Sequence, residues 1–300
     1  MDTTIRPPLP DVPSLPDVPP LPDVPPLPDV PPLPDAPAAR LARALADSWT
    51  ITLRDLRHWR LRPGAAVVGW LFPVMVVLMM GGLFGGAIAV PGGGGYFEFL
   101  VPGMFALTML FGLETTMTAV TVDAARGVTD RFRSLPMSSS AVVLGRCAAD
   151  MLNSAVGLAV LAGAGLLLGW RWHGGYGSAL AALGLLLLLR FALLWAGILI
   201  GLKASGPEAV AAVQILVWPV GFLSNVFVDP ATMPAWLGAL AAWNPLSATA
   251  SAARELFGNP GFGGEGWAAE HALLLSVAWP VLLVSVFLPL SARAFRRLRS

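Results

Sequence analysis

The chain has 300 residues, of which 56% are hydrophobic and only 12% charged, and its formal net charge is +1. An average soluble domain carries roughly 25% charged residues, whereas the mean hydropathy here is +0.70. That much apolar surface excludes a soluble globular enzyme, and the near-zero net charge excludes bulk attraction to nucleic acid. Cys147 is the only cysteine, which excludes an intrachain disulfide framework and any zinc site built on several cysteines.

The N-terminus, MDTTIRPPLP, has neither the basic start nor the apolar core of a signal peptide. An LPDVPP repeat follows from Leu9 to Pro37, and fifteen of the 28 prolines fall in those first 37 residues. Proline fixes φ and removes backbone donors, so residues 1–37 are expected to form a disordered tail sampling polyproline II. Fully extended, the repeat would reach about 90 Å. It reads either as a solvated cytoplasmic tail or as a docking arm.

Over residues 38–62 the pattern changes. Leu41, Leu45, Trp49, Leu53, Leu56 and Trp59 recur at helical spacing, while Arg43, Asp47, Arg54, Arg57 and Arg62 fall largely on other faces. The spacing predicts an amphipathic helix lying in the cytoplasmic interface, ended by Pro63 and Gly64.

Residues 63–300 form the third region. Six segments approach the ~20 apolar residues that cross a bilayer: Ala65 to Gly85, Phe99 to Val120, Ala148 to Trp170, Ala179 to Leu202, Ala209 to Val228, and Ala268 to Leu290. Pro73, Pro102, Pro219 and Pro280 fall in these segments and predict kinks rather than breaks. With both termini cytoplasmic, sixteen of the nineteen basic residues lie inside, as the positive-inside rule demands. Trp170, Trp172, Trp236, Trp243 and Trp267 then belong to an outer aromatic belt. The fold class is therefore all-α integral membrane, with six spans.

Two connections exceed simple turns. The cytoplasmic one, Thr121 to Arg146, contains a helix-capable piece from Val128 to Leu135. Val128, Phe132 and Leu135 make a small apolar face on a piece that also carries Arg131 and Arg133. The arginines alone would be explained by topology; the apolar face calls for a cleft in a cytosolic partner. The outer connection, Asp229 to Trp267, holds two stretches too short to span. Thr232 and Pro234 open the first, with Trp236 in it. Asn244 followed by Pro245 has the N-cap and first-turn proline signature of the second. A pair of short outer re-entrant helices is expected, acting as a cap or in cargo release.

Glu114, Asp150 and Arg190 fall inside spans, where an unpaired charge costs several kcal/mol. Their depths predict an Arg190–Glu114 or Arg190–Asp150 pair, structural or cargo-contacting. Gly81/Gly85 and Gly82/Gly86 have GxxxG packing spacing. Met104, Phe105, Met109 and Phe111 offer an apolar lining for a transport path.

Three segments carry a resemblance: GVTDRFRSLPMSSSAVVLGRCAADML, FLSNVFVDPATMPAWLGALAAWNPLSATASAARELFG and YFEFLVPGMF. They resemble the type-2 ABC export permeases, a family that includes membrane subunits of bacterial drug-resistance exporters of the daunorubicin type. The likeness extends in layout from about Arg40 to Arg297; the Pro-rich repeat and Arg190 depart from it. It implies a permease subunit of the bacterial plasma membrane, paired with a second permease copy as a homodimer and surrounded by lipid. It also implies a separate ABC ATPase docked on Val128 to Leu135, and a hydrophobic drug, antibiotic or lipid-like cargo. No cofactor is expected on this chain, and ATP and magnesium would sit on the partner. The only lysine, Lys203 in GLKASG, is not preceded by the glycine-rich loop of a nucleotide site. Nor do His58, His173 and His271 have zinc-protease spacing. An ion-coupled secondary transporter or channel is the alternative, with Glu114 and Asp150 as coupling carboxylates.

Overall fold

A computed structural model describes residues 63–86, 93–125, 139–204, 206–264 and 266–297, with residues 46, 48–50, 52, 53, 61 and 90. The chain divides into two units, Met1–Arg40 and Leu41–Ser300. The Pro-rich repeat, most of the predicted interfacial helix and the whole Val128–Leu135 piece lie outside the described residues.

Every regular element among the described residues is helical: α1 Pro63–Phe84, α2 Tyr96–Ala125, α3 Ser139–Leu167, α4 Tyr176–Lys203, α5 Pro207–Phe222, a 3₁₀ turn Pro230–Thr232, α6 Ala235–Ala242, α7 Pro245–Phe257, α8 Trp267–Glu270 and α9 Ala272–Arg297. Five are long and apolar enough to cross a membrane: α1, α2, α3, α4 and α9. The predicted fifth span, Ala209 to Val228, is shorter than expected, because α5 stops at Phe222. A side chain from another element holds this end. Asn244 Nδ2 donates to the carbonyls of Val220 at 3.0 Å and Leu223 at 2.5 Å, satisfying the orphan acceptors of the last turn. The last span starts at Ala272 rather than Ala268, since His271 breaks away from α8 with φ −111°.

The five long helices are not equivalent. Within the most apolar stretch, 78% of α2 and 61% of α4 is buried inside the protein, against 17% for both α1 and α9. Thus α2 and α4 form the central pair, and α1, α3, α5, α7 and α9 pack around them. Close approach of the pair rests on Gly197 and Gly201 of α4. A Cβ on Gly197 would stand 2.8 Å from the Leu113 carbonyl, and one on Gly201 2.8 Å from that of Met117. This is GxxxG packing, but at GILIG in α4. The predicted glycines of α1 divide differently: Gly81 lies under the Phe97 ring, while Gly82 and Gly86 meet nothing within 4 Å.

Met104 and Phe105 are wholly buried in the α2 core rather than lining a path. Trp170 is also a correction. It is 3% exposed, wedged between Phe105 and Phe257 at ring distances of 5.4 and 5.3 Å, and its indole N–H donates to Asn259 Oδ1 at 2.9 Å. A buried tryptophan needs such a partner, and Asn259 supplies it. Trp236, Trp243 and Trp267 are exposed as a belt would require.

Gly201→Ala is expected to lower unfolding stability by about 1–3 kcal/mol through overpacking, whereas Gly82→Ala should leave it unchanged or higher. Thermal unfolding of the purified chain in detergent, followed by tryptophan fluorescence, measures both.

Candidate functional site

The intramembrane charges resolve into a buried network and a separate carboxylate. Arg190 is 1% exposed. Its Nε donates to Ser154 Oγ at 2.8 Å and its Nη2 to Thr116 Oγ1 at 2.7 Å. Nη2 also stands 3.8 Å from Asp150 Oδ2, and Thr116 Oγ1 is 2.8 Å from that same oxygen. One guanidinium therefore ties α4 to α2 and α3 together, with the hydroxyls bridging what the ion pair leaves open. Space for it comes from Gly112, where a Cβ would lie 2.4 Å from Arg190 Nε.

Of the two predicted partners, then, Asp150 is the one that pairs. Glu114 cannot join: it lies two residues from both Gly112 and Thr116, which face Arg190, and two residues are about 200° around a helix. Among the described residues Glu114 has no hydrogen bond or ion pair. It lines instead a groove of about 360 Å³ between α1, α2, α3 and α5, together with Trp70, Phe72, Phe111, Asn153 and Trp218. Trp70 Nε1 donates to Asn153 Oδ1 at 2.9 Å, fixing the wall between α1 and α3.

The outer connection is built as the N-cap signature predicts at its second helix. Asn244 Oδ1 accepts from Leu246 N at 2.9 Å, Pro245 fills the first turn, and Gly258 ends α7 at φ +68°, a left-handed position suited to glycine. The first helix begins one turn later than Thr232, with Pro234 as its N-cap and Trp236 68% exposed. Between these pieces lies a cavity of about 430 Å³ lined in part by Asn225, Asp229, Ser247 and Ser251.

Arg254 is the functional-looking residue that sequence reasoning missed. Counted by charge it is an outer basic residue, yet it is 1% exposed. Its Nε donates to the Phe99 carbonyl at 3.0 Å, and Nη1 and Nη2 donate to the carbonyls of Asn225 and Val226, both at 3.1 Å. The guanidinium carbon lies 4.1 Å from the Phe99 ring centroid, a cation–π contact. Burial pulls this guanidinium down to about 9, which leaves it cationic at neutral pH. The available signal was α7 itself: Arg254 falls on the same helical face as Ala250 and Phe257, both buried.

Toward the other end of α2, Asp123 pairs with Arg146 of α3, so an ion pair joins these two helices. Nearby, Thr52 Oγ1 donates toward the Gly145 carbonyl at 3.0 Å, while Trp49 and Leu53 are exposed. The predicted coupling residues Val128, Arg131, Phe132, Arg133 and Leu135 lie outside the described residues.

This geometry defines a polytopic, all-helical membrane subunit whose buried charges hold helices together. The family described as ABC-2 type transporter matches residues 47–257. A daunorubicin resistance ABC transporter permease protein, DrrB1, of Streptomyces coeruleorubidus is 36% identical over 261 residues, covering 86% of this chain and 89% of that relative. The chain belongs to the ABC-2 type transporter family and is the membrane subunit of an ABC exporter, multi-pass in the bacterial inner membrane.

Breaking the Arg190–Asp150 pair from one side should destabilise the chain strongly, because a buried charge loses its counter-ion. Asp150→Asn and Arg190→Met are each expected to cost about 3 kcal/mol. The double variant should fall short of their sum by at least about 1 kcal/mol, read as unfolding temperatures of the purified proteins.

Proposed function

We propose that the chain is one half of an export path, completed by a second copy, and driven by an ABC ATPase on a separate polypeptide. The observation that carries this reading is family membership in a chain whose one lysine, Lys203, stands in no glycine-rich phosphate loop. The motor is therefore assigned to a partner, which would hold the ATP and magnesium. That partner docks on Val128 to Leu135, with Val128, Phe132 and Leu135 as the apolar face and Arg131 and Arg133 as polar contacts. The Asp123–Arg146 pair supports the assignment: a push on that segment reaches α2 and α3 together.

Six spans and cytoplasmic termini follow if α5 is counted. Its 16 residues reach about 24 Å, and residues 223–228 continue toward the ~30 Å hydrocarbon thickness. The α6–α7 pair then dips from the outer leaflet, with α7 packed among α2, α4 and α9. Exposed apolar side chains on α1 and α5, among them Met75, Met79, Ile215 and Leu216, form the face for lipid or the second copy. The cargo is hydrophobic, of the drug kind named in the relative's description, or an antibiotic or lipid of like character.

The ion-coupled alternative needs free carboxylates at the midplane. Asp150 is engaged by Arg190, which leaves only Glu114 for that role.

The test is a tagged pull-down from gently solubilised native membranes, with and without the Phe132→Ala/Leu135→Ala double change. A nucleotide-binding ATPase recovered stoichiometrically with the native chain, and reduced at least tenfold by the double change, is the expected result. An ATPase retained despite the change moves the interface elsewhere. No ATPase from a well-folded chain overturns the reading.

A further inference from the structure

We propose that the groove between α1, α2, α3 and α5 is a binding site for a lipophilic organic cation, held by the Glu114 carboxylate beside a cage of Phe72, Phe111 and Trp218. The proposal deepens the exporter reading and rests on it for the step after binding. Four observations converge on one ligand chemistry.

The first is the cage. The rings of Phe72, Phe111 and Trp218 come from three different helices, α1, α2 and α5. Their centroids lie 5.7 Å (Phe72–Phe111), 6.0 Å (Phe72–Trp218) and 5.1 Å (Phe111–Trp218) apart, at interplanar angles of 66°, 83° and 55°. The three rings pack on one another and all line the groove, and an aromatic face there attracts an alkylated ammonium through its quadrupole.

The second is the charge. Glu114 follows Phe111 by three residues on α2, so both lie on one helical face, and both line the groove. The site is deep: from Glu114 to the end of α2 at Ala125 is about 16 Å of helix. A carboxylate at such depth needs a counter-charge or water, and among the described residues Glu114 has none.

The third is local neutrality elsewhere. The other acid near this level, Asp150, faces Arg190 on the opposite side of Gly112. The groove therefore carries one uncompensated negative charge, which selects a monocation over a neutral or anionic guest.

The fourth is space and polarity. The volume, about 360 Å³, lies in the range of small-molecule pockets. Besides the carboxylate, Thr108, Thr115, Asn153 and Ser154 line it, and each of the three hydroxyls donates to a carbonyl of its own helix. Asn153 has its Oδ1 committed to Trp70.

The experiment uses a matched pair of probes, tetraphenylphosphonium and tetraphenylborate, which share a shape and differ in the sign of charge. Radiolabelled phosphonium binding to the full-length purified chain is measured by equilibrium dialysis, with the borate as competitor. Saturable phosphonium binding is expected, with the borate competing at least tenfold more weakly. Glu114→Gln should weaken phosphonium binding at least tenfold and abolish the preference, Glu114→Asp should retain the preference, and Trp218→Leu should weaken binding several-fold. Each variant is checked for native unfolding temperature, and the Glu114→Asp result carries the test if the glutamine variant fails to fold. Absence of saturable binding to the native chain, or a preference for the cation that survives Glu114→Gln, overturns the proposal. ATPase recovery with the same preparations separates the two readings. Recovery with charge-blind binding sinks the site and keeps the exporter, while Glu114-dependent binding without any ATPase keeps the site and sinks the exporter.

Discussion

Two guanidinium groups buried against one helix constrain everything else in this protein. Removing an arginine from water costs several kcal/mol even after relaxation, and acceptors for its N–H groups and a nearby counter-charge or aromatic face offset that cost. Arg254 meets it with three backbone carbonyls and an aromatic face. Arg190 meets it in part: two hydroxyls accept from Nε and Nη2 and the Asp150 carboxylate stands 3.8 Å away, while Nη1 has no hydrogen-bond partner among the described residues. Both grip α2, at Phe99 near one end and at Thr116 toward the other. Each demands a gap in the packing: a Cβ on Gly103 would stand 2.7 Å from Arg254 Nη2, and Gly112 has the same role beneath Arg190. The sequence of α2 is thereby fixed by its neighbours, and α2 becomes the post around which the other helices are arranged.

That arrangement connects the two ends of the molecule. At one end Arg254 links α7 to α2 and to the segment after α5. At the other end the Asp123–Arg146 pair links α2 to α3 across the 126–138 segment. Asn244 adds a further junction, capping α7 with its Oδ1 and closing α5 with its Nδ2. If the partner docks at Val128 to Leu135 as proposed, a displacement there would move α2 and α3 together. Packed cores switch between discrete arrangements rather than deforming smoothly. The proposed export cycle needs such stiffness in the elements that move.

Helix existence was legible because length and hydropathy suffice for it: α1, α2, α3, α4 and α9 fall on five of the six predicted segments. The N-cap at Asn244 was legible because its physics is local, a side-chain oxygen reaching two residues ahead. The end of α5 was not, because it depends on an amide contributed from the start of α7. Arg254 was illegible for a related reason: three of its acceptors are backbone carbonyls, which leave no residue-type signature. Arg190 announced itself as a charge within a span, and depth alone left Glu114 and Asp150 equivalent; only the rotation of α2 about its axis separates them. The packing glycines were misplaced among several equal GxxxG matches, since spacing says nothing about which face meets a neighbour.

The central claim is that ATP hydrolysed on another polypeptide drives this subunit through the base of α2 and α3. The most direct measurement is ATP hydrolysis by the co-purified ATPase in proteoliposomes, with and without this chain, with a protonophore present to remove any ion gradient. The account predicts that the chain raises a vanadate-sensitive rate several-fold, and that Arg146→Ala cuts this stimulation while the two proteins still co-purify. A rate indifferent to the chain, or cargo movement that stops when the ion gradient is collapsed and ignores vanadate, would contradict it.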